Sequence, residues 1–205
     1  MYNEFKPLGD FVVEEQELGD WPSTYKCLKQ TIFREGDYVL SPISILNAET
    51  IRVWRNSQIQ FLRQKREITQ QEQQLYFLKN VRPNFYSANP PQLLFEISES
   101  GIFIGYGGLV HISWEDKRAE ISFLTSPERS QSANYETDFR HFLSLIKFIA
   151  KEKLGLHKLM TETYDGREIH LKTLISQGFC LEGRLIDHIA QMNEYRDALI
   201  HGLIL

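Results

Sequence analysis

Cysteine is scarce: Cys27 and Cys180 are the two in 205 residues, far apart and without C-x-x-C spacing. That excludes a disulfide framework and a spaced zinc site, and it suits a reducing compartment. Long apolar runs are missing too, and none approaches the roughly 20 residues that cross a bilayer. Met1 to Asp20 carries six acidic residues and no basic segment ahead of an apolar stretch, so no signal peptide is expected and the cytoplasm is. Positive charge is not in excess: 23 Lys and Arg face 27 Asp and Glu, for a net charge of −4 and a pI near 5.9. A nucleic-acid surface, which clusters Lys and Arg, is therefore not expected, and the short basic run Arg63, Lys65, Arg66 reads as a solvated helix end. The chain also has no internal repeat and no low-complexity tract.

What is present suits a globular domain with an extension: 42% hydrophobic and 24% charged residues at this length can bury a sizeable core. Residues 1–37 read as an N-terminal extension with short strand-like pieces at Phe11, Val12, Val13 and at Thr31, Ile32, Phe33, and residues 38–205 as the main domain. Glu35-Gly36-Asp37 signals a turn ahead of a strand from Tyr38. Asn47 is an expected helix N-cap, with a break near Asn56-Ser57, and Thr69 to Glu72 forms a capping box. That second helix is expected to end before Pro83, with loop from Asn84 to Pro91.

Leu93–Ile97, Ile102–Trp114 and Ala119–Leu124, separated by tight turns, predict an antiparallel meander. Gly105, Gly107 and Gly108 mark a bulge or a close approach in its middle strand. After Thr137, Phe139, Phe142, Leu143, Ile146, Ile149, Ala150 and Leu154 form one apolar helical stripe, closed by Gly155. A strand at Lys158–Tyr164, a helix at Gly166–Ser176 and a hairpin of Leu181–Ala190 with Arg196–Leu203 complete an α/β fold with a mixed central sheet and flanking helices. The meander disfavours a doubly wound, parallel sheet.

The loop Pro127–Thr137 feeds a helix N-terminus, where unpaired N–H groups and the helix dipole favour an anion. Any strand-to-helix junction has this geometry, so an ordinary surface connection is an equal reading. Six segments in order add to it: Trp54-Arg55-Asn56-Ser57, Arg66-Glu67-Ile68-Thr69, Ile104-Gly105-Tyr106-Gly107-Gly108-Leu109, Arg118-Ala119-Glu120-Ile121-Ser122-Phe123, Glu152-Lys153-Leu154-Gly155-Leu156 and Gly178-Phe179. Together they resemble the GNAT superfamily of acetyl-CoA-dependent N-acetyltransferases over roughly Tyr38 to Leu205. The Trp-Arg-Asn start is similar to the branch with amino-sugar nucleotide and ribosomal-protein acetyltransferases.

The resemblance implies acetyl-CoA as cosubstrate, no metal, and a cofactor gap beside Ile121 to Thr125, with Phe123, Leu124 and Thr125 holding its pantetheine arm. The family's diphosphate loop corresponds to Gln131, Ser132, Ala133, Asn134, Tyr135 and Glu136, where Asn134 and Glu136 replace both glycines. Asn134 tolerates the left-handed backbone that a glycine would supply. The family's asparagine at the next helix start corresponds to Arg167, and its tyrosine acid to Leu174, so that acid is lost.

Glu120 matches the position of the family's base, which takes a proton from the amine. Its bland alternative is a surface carboxylate beside Arg118. His111 on the facing strand and Tyr164 at a strand end are candidate assistants, each equally readable as a packed strand residue, and His170 is weaker. Arg55 and Arg66, with Arg63, lie where the family contacts its acceptor, and guanidinium groups suit a phosphate-bearing amine. Ion pairs with Glu67 or Glu72 are their structural alternative. The expected acceptor is the primary amine of a small molecule, an amino sugar or its nucleotide, and the expected state is monomer or homodimer without nucleic acid or membrane. A non-catalytic GNAT-fold binding module and a protein N-terminal acetyltransferase are the alternatives.

Overall fold

The computed structural model describes residues 20–191 and 194–205; Phe11, Val12 and Val13, a strand-like piece of the sequence, lie outside them. The described residues build one eight-stranded sheet: β1 Phe33–Glu35, β2 Tyr38–Pro42, β3 Leu93–Glu99, β4 Ile102–Ser113, β5 Arg118–Thr125, β6 Lys158–Tyr164, β7 Cys180–Gln191 and β8 Glu194–Ile204. Their order is β1-β2-β3-β4-β5-β6-β8-β7, antiparallel throughout except for β5 with β6. β1 pairs with β2 across the Glu35–Asp37 turn, and Tyr25, Leu28 and Phe33 belong to the main core. A division of the chain at Tyr38 would thus cut a hairpin.

Helix α1 (Ala48–Ser57) begins after Asn47, but the Asn47 amide donates to Glu96 Oε1 at 2.8 Å and makes no cap bond. The Thr69–Glu72 capping box is formed, and it opens α2 (Gln70–Tyr76). The expected stop before Pro83 is overturned. The chain runs on through a π turn at Phe77–Val81 into α3 (Arg82–Tyr86), so Asn84 to Tyr86 are helical and not loop. Pro83 stands in the first turn of α3 and brings no N–H to the ladder there; the Asn84 side-chain amide donates to the Asn80 and Val81 carbonyls of the preceding turn.

The meander of β3, β4 and β5 forms as its turn spacing predicts. Its glycines serve a close approach: a Cβ on Gly105 would fall 2.7 Å from the Leu124 carbonyl oxygen, and one on Gly107 2.4 Å from that of Ser122. The Gly107 Cβ would also sit 2.9 Å from the Phe142 ring, so the missing side chain admits the long helix behind the sheet. That helix, α5 (Tyr135–Phe148, continued by a π turn at Ile149–Lys153), starts two residues before Thr137. Phe139, Phe142, Leu143, Ile146, Ile149 and Ala150 are all buried on its inner face. Each large one contributes about 1.5–3 kcal/mol by leaving water. Gly155, at φ +63°, reverses the chain where a side chain would be strained.

Phe123 of β5 stacks on Phe139 and Phe142, so α5 covers the face shared by Ile121 and Phe123. Tyr106, opposite Leu124, accepts a bond from Arg55, so α1 lies across the other face, the one that Glu120 shares. The sheet is sandwiched at the strand where β5 meets β6.

Candidate active site

β5 and β6 pair over three positions only, Arg118 with Lys158, Ala119 with Leu159 and Glu120 with Met160. Beyond Glu120 the strands part. The Ser126 N–H donates to the Ile104 carbonyl at 2.8 Å, which sets the phase of the β4–β5 ladder. In that phase Glu120, Ser122 and Leu124 direct their N–H and C=O groups to β4, whereas Ile121, Phe123 and Thr125 direct theirs into the gap. Leu124 therefore offers a gap ligand no backbone group. The Thr125 carbonyl already accepts from the buried Gln58 amide at 2.9 Å, which ties the end of α1 to the end of β5. Thr125 Oγ1 is buried and has no hydrogen-bond partner in the structure.

Glu120 stands at the last paired position, where the gap opens. Arg63 reaches it from the segment after α1, with Nη2 2.7 Å from Glu120 Oε1 and 2.9 Å from Glu162 Oε2 of β6. His111 Nδ1 lies 2.8 Å from the other Glu120 oxygen. A bulge aims that imidazole: between the pairs Val110–Glu120 and Ser113–Arg118 two residues of β4 oppose one of β5, and His111 takes φ +49°. Glu120 is not paired with Arg118, which instead faces Asp116 at 3.4 Å. The side chain of Glu120 is 13% exposed, against 67% for His111, so the buried carboxylate has an exposed base between it and solvent.

Tyr164 is elsewhere. It ends β6 opposite Ala198, buried with Ile189, four residues and roughly 13 Å along the strand from the partner of Glu120.

Across the gap, α5 meets α6 (Glu168–Ser176). Tyr135 at the start of α5 is buried; its hydroxyl lies 2.8 Å from His170 Nδ1 and accepts from Arg167 at 2.8 Å. Burial lifts the Tyr135 phenol to about 12. Burial, aided by the Arg167 charge, holds His170 well below the usual imidazole range, so its ring is neutral, and Nδ1 shares a hydrogen bond with the Tyr135 hydroxyl. Arg167 lies over the Phe61 ring at 5.0 Å.

The loop before α5 differs from expectation. Pro127–Ser130 forms a short turn of helix, α4, capped by Ser126, and Asn134 is right-handed at φ −75°. A left-handed Asn134 is therefore not what replaces the glycine. Ser132, Asn134 and Tyr135 bond within the loop, while Gln131, Ala133 and Glu136 are exposed. Behind it, Arg129 bridges the fully buried Asp138 and Glu99, and the Tyr38 hydroxyl donates to Asp138 at 2.8 Å.

Arg55 donates to the Tyr106 hydroxyl at 2.7 Å and to Gln64 at 3.1 Å. Arg66 is 62% exposed and paired with Glu72 at 2.5 Å, a bond that lowers the Glu72 carboxyl to about 2. Neither guanidinium reaches the gap through these bonds. A cavity of about 540 Å³ near Trp21, Ser41 and Ile45 belongs to the β2 end of the sheet, away from these groups.

A family model described as an acetyltransferase (GNAT) domain matches residues 44–200. The chain belongs to the GNAT acetyltransferase family. Among solved structures, spermidine N-acetyltransferase from Vibrio cholerae in complex with CoA and spermine is similar at TM-score 0.71 and 16% identity, over 82% of this chain and 95% of that one. The dodecameric form of the Vibrio cholerae enzyme in an intermediate state matches at TM-score 0.66 and 18% identity, over 82% and 94%. A search of curated protein sequences finds no match. The GNAT fold and acetyl-CoA-dependent N-acetyltransferase chemistry inferred from the six segments stand; the amino-sugar branch finds no support among these structures.

The gap of a GNAT enzyme takes acetyl-CoA, and the residues here suit it: outward-facing Phe123 backbone, a long helix opening at Tyr135 and a cation at Arg167 beside it. Glu162 is the member of the Glu120 cluster that sequence reasoning did not place; Arg63, read there with Arg55 and Arg66 as an acceptor contact or a solvated charge, is the one of those three arginines that joins it. Alternation along β6 puts Glu162 on the face of Met160 and Tyr164, which was the available signal.

Among the described residues no group of His, Cys, Asp and Glu is arranged to hold a metal, and no helix is long and apolar enough to cross a membrane.

Proposed function

We propose that the protein acetylates the primary amine of a small cationic molecule, with Glu120 as the base and His111 as its connection to solvent. The observation that carries this reading is the ring of Glu120, Arg63, Glu162 and His111 at the point where β5 leaves β6. Acetyl-CoA supplies the electrophilic thioester carbonyl. The Phe123 N–H and C=O hold its pantetheine arm, and the first turn of α5 with Arg167 holds its diphosphate. Glu120 accepts the proton the attacking amine must lose, and His111 passes that proton outward.

Two carboxylates in the acceptor region favour an ammonium-bearing molecule over a phosphorylated sugar, since Arg55 and Arg66 are engaged with Tyr106, Gln64 and Glu72. The structurally similar enzymes that act on spermidine are consistent with a polyamine. Cys27 and Cys180 form no disulfide, which suits the cytoplasm.

Thiol release from acetyl-CoA across a panel of diamines, polyamines, amino sugars and peptide N-termini tests the reading. Transfer to polyamines that Glu120→Gln cuts at least about 100-fold supports it. Acetyl-CoA binding without transfer to any amine favours the non-catalytic module.

A further inference from the structure

Arg63 Nη2 is one nitrogen bonded to two carboxylates, at 2.7 Å from Glu120 and 2.9 Å from Glu162. We propose that this nitrogen stands where the acceptor's ammonium nitrogen binds, so that acceptor entry is an exchange of cations: guanidinium out, ammonium in. The proposal rests on the functional reading above and deepens it.

The reasoning starts from charge. One guanidinium between two carboxylates leaves a negative charge over before His111 is counted, and the pair is taken from water by the sheet. Such a pair needs a cation at all times. A primary ammonium offers three N–H donors and satisfies both oxygens from one nitrogen, as Nη2 does.

With Arg63 on Glu120 Oε1 and His111 on Oε2, an ammonium reaches the carboxylate edge that Nη2 occupies only when the guanidinium yields. Its segment permits that. Residues 62–68 are pinned independently of Arg63: Gln64 donates to Asn56 at 2.8 Å, and the Ile68 N–H and C=O both bond the Asn56 amide at 2.9 Å. Lys65 donates to the Ala190 carbonyl at 3.1 Å. The Arg63 side chain, 31% exposed, can swing to solvent with these ties in place.

One consequence separates this role from a structural one. Removing the guanidinium removes a competitor, so the acceptor binds more tightly.

The experiment compares the wild-type protein with Arg63→Gln and Arg63→Lys, each checked for folding by circular dichroism. Arg63→Gln is expected to lower KM for a diamine about three- to fivefold, the upper range of a part-exposed ion pair, with kcat changed less. Guanidinium chloride at non-denaturing millimolar concentration restores the wild-type KM to Arg63→Gln as a competitor of the amine and leaves the wild-type protein unaffected. Arg63→Lys behaves as wild type.

A raised or unchanged KM overturns the proposal and makes Arg63 an acceptor ligand or a fold residue. Should the wild-type protein transfer acetyl to no amine, thermal stabilisation by diamine still decides: greater stabilisation of Arg63→Gln than of wild type upholds the exchange while the transferase reading falls, and equal stabilisation overturns the exchange as well. If Arg63→Gln fails to fold, Arg63→Ala is read in its place by the same criteria, and a KM that is not lowered, or is lowered without competition by guanidinium, overturns the exchange.

Discussion

Two arginines in this molecule do the same thing in different settings. Arg129 uses Nη2 to bridge Asp138 and Glu99, and Arg63 uses Nη2 to bridge Glu120 and Glu162. The first trio is closed at one end only: Asp138 has no exposure and also takes the Tyr38 hydroxyl, whereas Glu99 is 34% exposed. The second opens to the gap on one side and to exposed His111 on the other. An arginine between carboxylates is therefore not a site or a strut by its chemistry. Access and the number of other ties decide which it becomes.

The sharpest way to break the comparison is at the closed trio. Arg129→Met should cost about 3–5 kcal/mol of unfolding free energy in urea titration, because it leaves Asp138 charged and buried with one neutral partner. A loss under 1 kcal/mol would mean the two trios are alike after all. At the open trio the effect should fall on rate. Glu120→Gln should cut kcat about 100-fold or more, with its melting temperature near that of the wild type.

Much of this was legible beforehand, and the exceptions share a cause. β6, the meander and the Thr69–Glu72 box follow from spacing and local chemistry, and they appear where expected. Pro83 misled because a local rule met a π turn that reset the helix. The Glu120 cluster joins residues 57 and 99 positions apart, through a segment with no periodicity, so no window of sequence holds it. Asn134 misled because the missing glycine was answered by a changed path, with a helical turn at Pro127–Ser130 in place of a left-handed residue.

A third arginine, Arg167, is tied to Tyr135 and lies over the Phe61 ring. Arg167→Met should raise KM for acetyl-CoA about tenfold at unchanged kcat, the value of one charge-assisted contact. Acid should report on the neighbouring His170. Its folded state resists the proton while the unfolded chain binds it near pH 6.5, so stability is held above that pH and falls below it. The slope reaches about 1.4 kcal/mol per pH unit below 6.5, and His170→Asn should remove that component from the pH-dependent denaturation profile. The smallest effect belongs to Arg66→Ala, with a melting temperature close to that of the wild type, because its pair with Glu72 is exposed.

The three-residue contact between β5 and β6 also has a bearing on time. Strands β3 to β5 are joined by tight turns, whereas β6 can meet β5 only after the whole stretch from Ser126 to His157 has folded back. Loop closure favours the near partner first. The chain should therefore assemble the strand bearing Glu120 early and gain the opposite wall of the gap late. A nascent molecule passes through a stage in which the proton acceptor exists and the chamber around it does not.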